Sequence, residues 1–72
     1  MMDLTEKIIS ILTQESGLKA REITEIIKQE YNIKVEKKEV NRILYYQLKG
    51  KVYQDSNYRW SLGTLPLERN WG

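Results

Sequence analysis

Apolar residues recur along the first half of the chain at the period of an α-helix. Leu4, Ile8, Ile11 and Leu12 fall at i, i+4, i+7 and i+8, on one face. Asp3 is placed to cap this helix: its carboxylate can accept from free N–H groups of the first turn, and Glu6 three positions on completes a capping-box pair. Gly17 is the expected stop. Leu18-Lys19-Ala20 is too short for more than one extended step, after which Ile23, Ile26, Ile27 and Tyr31 begin a second helical stripe. The period breaks over Asn32 to Val35 and resumes in a third helix, with Val40, Ile43, Leu44 and Leu48 as its apolar face. Gly50, just past Lys49, suits the left-handed conformation that closes a helix.

Beyond Gly50 the pattern shortens. Lys51 to Asp55 and Tyr58 to Leu62 are runs rich in β-branched and aromatic residues, and Ser56-Asn57 between them fits a tight turn because Asn tolerates positive φ. A period of two turns Val52, Trp60 and Leu62 inward and Lys51, Tyr53, Arg59 and Ser61 outward. The order helix, extended step, helix, helix, hairpin predicts an α+β winged helix-turn-helix, a three-helix bundle with a C-terminal two-stranded β-hairpin wing. The domain is expected over residues 1–62. Residues 63–72, with Pro66 and no sustained period, read as a tail or linker.

Composition narrows the chemistry. The chain has 72 residues, no His and no Cys, so it cannot build a Cys/His zinc site, a thiolate nucleophile or any imidazole acid-base couple. A domain this size buries only roughly 60% of the surface its unfolded chain exposes, which leaves little apolar material for a deep pocket. Ser10, Ser16 and Ser61 lack a partner that would make a nucleophile, and the pairs Glu22/Glu25 and Glu36/Glu39 sit among Lys and Arg, where they solvate helix faces. The glycines are isolated and form no phosphate loop. The domain is therefore expected not to be an enzyme and to need no metal or cofactor. No apolar run approaches the roughly 20 residues of a membrane span, and the start lacks a basic segment before an apolar stretch. A soluble, intracellular protein without a membrane partner is the expectation, cytoplasmic in the simplest case.

The net charge is only +2, but it is unevenly distributed. Lys19 to Lys51 holds nine basic and five acidic residues, whereas residues 1–18 are net acidic and 52–72 neutral. Opposite the core stripe of the third helix, Lys38, Asn41, Arg42, Tyr45 and Lys49 follow at i, i+3, i+4, i+7 and i+11, with Lys37 beside them and no acid in the strip. Lysine and arginine bind phosphates with release of condensed counterions. Asn can bond a phosphate or a base edge, and Tyr can donate to phosphate or lie against a sugar or base. Lys51 and Arg59 on the hairpin are secondary phosphate candidates, and Lys19 and Arg21 stand at the start of the second helix. A solvated surface helix accounts for the same charges and remains the competing reading.

The stretch Lys37-Lys38-Glu39-Val40-Asn41-Arg42-Ile43-Leu44-Tyr45, continued by Leu48, Gly50, Val52 and Trp60, resembles the recognition helix and wing of Z-alpha domains. These are winged helices that bind left-handed Z-form DNA and RNA in double-stranded RNA adenosine deaminases and innate nucleic-acid sensors. The resemblance runs from Leu4 to Leu62 and is strongest from Lys37 onward. It implies that Lys37 holds phosphate, that Asn41 is the central asparagine, and that Tyr45 packs edge-on against a syn guanine of the Z form. Lys38 and Arg42 would contact phosphate, and Trp60 would support the tyrosine from behind. The wing departs from the family, whose Thr-Pro-Pro step before the tryptophan is replaced here by Ser56-Asn57-Tyr58-Arg59. The Asn-Arg-x-Leu-Tyr helix and Tyr-Arg-Trp-Ser-Leu strand are also similar to small winged-helix modules of bacterial DNA-processing enzymes such as helicases.

Two functions are thus expected to compete. One is a nucleic-acid-binding module, with duplex DNA as the first partner and RNA or a Z-form duplex as variants, attached to or associated with a larger DNA-processing protein. The other is a protein-interaction or self-association module, motivated by Leu65, Leu67 and Trp71 in the tail and by exposed tyrosines.

Overall fold

The computed structural model describes residues 3–63. Helix α1 spans Leu4–Gln14, α2 Ala20–Glu30 and α3 Lys37–Arg42; α3 runs directly into a π-helical turn, Ile43–Gln47, and the antiparallel strands β1, Val52–Gln54, and β2, Trp60–Leu62, follow. This is the three-helix bundle with a terminal two-stranded wing that the periodicity predicts.

The capping of α1 follows from its first residues. Asp3 Oδ1 accepts from the Glu6 N–H at 2.9 Å, and Glu6 Oε1 accepts from the Asp3 N–H at 3.3 Å, so two orphan donors are satisfied together. The helix ends at Gln14, earlier than expected from Gly17. Gly17 instead takes a φ of +76° beyond the helix end, turning the chain towards the wing. There the Gly17 and Leu18 N–H groups both donate to the Trp60 carbonyl, at 2.8 and 3.1 Å, and the Trp60 N–H donates to Leu18 at 2.7 Å. The extended step is therefore a one-residue third strand, Leu18 against Trp60. Ala20, expected in that step, is already helical. Glu22 Oε1 accepts from the Lys19 N–H at 2.8 Å and fixes the start of α2 there.

The apolar stripes meet in one core. Ile8, Ile11, Leu12, Leu18, Ile23, Ile27, Val35, Val40, Ile43, Leu44, Leu48, Val52 and Trp60 are buried together, with Leu4, Ile26, Tyr31 and Leu62 packed at its edge. Among the described residues Thr24 is a buried polar side chain, and its hydroxyl donates to the Ala20 carbonyl at 2.7 Å, which removes the cost of an unpaired group.

Three local features differ from expectation. The third helix leaves α geometry at Ile43: the Leu48 N–H donates to the Ile43 carbonyl at 2.8 Å, five residues back. Helical structure ends at Gln47, so Lys49 lies outside the helix, in a bridge to Val52 before Gly50 at φ +85°. The hairpin loop is wider than a two-residue turn, with Gln54 opposite Trp60, and its positive φ of 64° falls on Tyr58, not Asn57. Asp55 explains this shift. Its Oδ1 accepts from the N–H groups of Asn57 and Arg59 at 2.8 and 3.0 Å, and its carbonyl accepts from Tyr58 at 3.0 Å, so the loop winds around the Asp55 acceptors.

Gly63, at φ +106°, closes the wing by donating to the Lys51 carbonyl at 2.8 Å. The rest of the expected tail, including Leu65, Pro66, Leu67 and Trp71, lies outside the described residues. Among the described residues no helix is long and apolar enough to cross a membrane.

Candidate nucleic-acid interface

The site candidates on α3 stand out because their backbone is fixed from behind by Val40, Ile43 and Leu44, all buried. An α-helix rotates about 100° per residue, so positions four apart drift by about 40° at each step. The π turn advances each residue less. It begins between Asn41 and Tyr45 and so keeps the Tyr45 ring closer to the line of Lys37 and Asn41 than a continued α-helix would. The three side chains line one groove of about 340 Å³ together with Lys19, Ala20 and Arg21 from the start of α2 and Gln54 and Tyr58 from the wing.

Tyr45 lines this groove and is held by two contacts. Its ring meets the Trp60 indole edge to face, centroids 5.0 Å apart and planes at 85°, the arrangement the ring quadrupoles favour. Its hydroxyl donates to Gln54 Oε1 at 3.1 Å. The residue is nevertheless 50% exposed, so a held aromatic surface faces solvent between Lys37 and Asn41 on one side and the wing on the other. Trp60, 4% exposed, is core and support at once; among the described residues its Nε1–H is a buried donor without an acceptor.

The remaining candidates are separated. Arg42 lines a different hollow, with Asp3, Thr5, Glu39 and Gln47 against α1. Lys49 lines an adjoining hollow with Leu44, Tyr53 and Trp60, which shares Tyr45 and Gln54 with the groove. Lys38 and Lys51 are exposed outside these hollows. The continuous strip read from spacing therefore divides, because the π turn and the end of the helix at Gln47 interrupt the period on which it was built. Arg59 is exposed but engaged along the domain surface: its Nη1 donates to the Gly17 carbonyl at 2.9 Å and stands 3.9 Å from Glu22.

Two groove residues escaped the sequence reading. Gln54 shares the inward face with Val52 by the period of two, and a polar residue at an inward position was the available signal. Tyr58 gave no such signal, because the pattern reads it as the first residue of the second strand and the structure has it in the loop at positive φ.

A family model matches this geometry in sequence: the adenosine deaminase z-alpha domain, over residues 1–65. The chain belongs to the Z-alpha family. Z-alpha domains are nucleic-acid-binding winged helix-turn-helix modules, and the α3, wing and Tyr45–Trp60 arrangement is how this Z-alpha domain is built. No curated protein and no solved structure matches the chain.

Proposed function

We propose that this Z-alpha domain binds double-stranded nucleic acid, DNA in the first instance, through the groove between α3 and the wing, and that it prefers the left-handed Z form. The observation that carries the reading is the state of Tyr45: half exposed, yet held by the Trp60 ring at 5.0 Å and by Gln54 at 3.1 Å. A ring already fixed in place loses little conformational freedom on contact with a base. Lys37 supplies the charge beside it and Asn41 a donor and an acceptor, so phosphate holds the duplex while the ring tests the base that the backbone presents. A rigid ring discriminates by shape, and a syn guanine, as the Z-alpha resemblance implies, is the base shape it would select.

The domain works as a binding module without chemistry of its own, a reading supported by the absence of His and Cys from all 72 residues. Its place is then inside the cell, delivering or anchoring a larger DNA-processing chain. Titration of an alternating CG duplex followed by circular dichroism tests the proposal. Inversion of the spectrum is expected, with an affinity that falls steeply as salt rises; Lys37→Ala should lower the salt slope by about one. Binding that leaves a B-form spectrum at saturation refutes the Z preference, and salt-independent or absent binding refutes the whole reading.

A further inference from the structure

The groove has a second wall that α3 does not supply. Lys19 and Arg21 at the start of α2 and Tyr58 at the wing tip line the same space as Lys37, Asn41 and Tyr45. Tyr58 is 70% exposed and so does nothing for the core. Its backbone sits at φ +64°, a conformation that glycine and asparagine adopt readily and bulky side chains seldom do. Asp55 holds the residue there through its carbonyl, at 3.0 Å, and through the flanking Asn57 and Arg59 N–H groups. Arg59 then ties the loop to the Gly17 carbonyl at 2.9 Å. The wing thus carries an anchored loop that displays a large ring at its tip, beside two cations that belong to another element.

Resting on the binding site proposed above, we infer that Lys19, Arg21 and Tyr58 form a second wall of that site. Lys19 and Arg21 hold phosphates of one strand, and the Tyr58 ring lies against the apolar sugar or base face of the same strand. The contacts differ in kind: the two cations release counterions and make binding salt-dependent, whereas a ring laid on a sugar or base adds affinity without adding charge.

The test uses the full chain and fluorescence anisotropy with an alternating CG duplex at several salt concentrations, with Tyr45→Ala as the reference for the α3 side. Tyr58→Gly and Tyr58→Asn suit positive φ, so both should keep or raise the wild-type melting temperature while weakening binding by about 5- to 150-fold, the effect of removing one stacked ring. The slope of log affinity against log salt should be unchanged in both. Lys19→Ala and Arg21→Ala should each flatten it by about one. Wild-type affinity in both Tyr58 variants, with Tyr45→Ala still impaired, overturns the second wall and leaves the α3 reading intact. A Tyr58 variant that flattens the salt slope also overturns it, since the ring would then only be positioning the cations. Failure of the unmodified chain to bind defeats the α3 reading itself.

Discussion

Replacing Trp60 with alanine is expected to cost this domain a large part of its stability, and the size follows from where the side chain sits. The indole is 4% exposed, belongs to the buried core and meets the Tyr45 ring edge to face. Truncating a buried tryptophan costs about 3–5 kcal/mol, a value that includes the lost ring pair. Against this, the change removes a buried Nε1–H that has no acceptor among the described residues; relief of such a group is worth on the order of 1 kcal/mol. A net loss of about 2–4 kcal/mol results. At the usual stability per residue, a chain of 72 residues has about 4–11 kcal/mol in total, so much of the margin disappears and the melting temperature should fall by roughly 10–30 °C. Thermal and urea unfolding followed by far-ultraviolet circular dichroism reads this directly. Trp60→Phe is the control: it keeps a ring against Tyr45, drops the unpaired N–H and leaves a smaller cavity, so it should lose clearly less than Trp60→Ala. A loss below about 1 kcal/mol for Trp60→Ala, or equal losses for the two variants, would refute the claim that this ring closes the core.

Four further outcomes follow from the same geometry. Tyr45→Phe removes only the hydroxyl bond to the Gln54 side chain, an exposed contact, so unfolding should shift by less than about 1 kcal/mol and affinity for the CG duplex should stay near wild type; a tenfold loss would assign the reading to the hydroxyl instead of the ring. Arg59→Ala should lower stability by about 1 kcal/mol through loss of the Gly17 contact and leave the salt slope of binding unchanged, because the guanidinium is engaged with the domain itself. Gly50→Ala meets no neighbouring atom, yet it forces a methyl group onto φ +85° and should cost about 1–2 kcal/mol in urea titrations, with Gly50→Asn costing less. Asp3→Ala breaks the reciprocal cap on α1 and should destabilise by about 0.5–2 kcal/mol, read as a lower urea midpoint at an unchanged slope.

The parts of the fold that were legible in the sequence are those governed by local rules. The stripes from Leu4, Ile23 and Val40 became the three helices, Asp3 and Glu6 became their own capping box, and Gly50 took the left-handed turn. The alternation from Val52 onward gave the wing its inward Trp60. Where the wing departs from that reading, hydrogen bonds that periodicity does not register had intervened. The hairpin turn was assigned from Asn57, but Asp55 wound the loop so that Tyr58 took the positive φ. Arg59 stays exposed, as the alternation predicts, but its guanidinium is bonded to the Gly17 carbonyl from a distant part of the chain, which no local rule foretells.

By itself, then, the sequence determined the order and type of the elements, the face each one buries and the local excess of positive charge, since all three depend on spacing and residue type within a few turns. Tertiary structure decided which of those charged and aromatic residues share a groove. Lys37, Asn41 and Tyr45 meet Lys19, Arg21, Gln54 and Tyr58 only because α2, the π turn and the wing converge there, while Arg42 and Arg59 are carried elsewhere and Lys49 stands in an adjoining hollow that shares Tyr45 and Gln54. The physical reason is that a period tells a residue which side of its own helix or strand it occupies, whereas a binding surface is made where the sides of several elements meet.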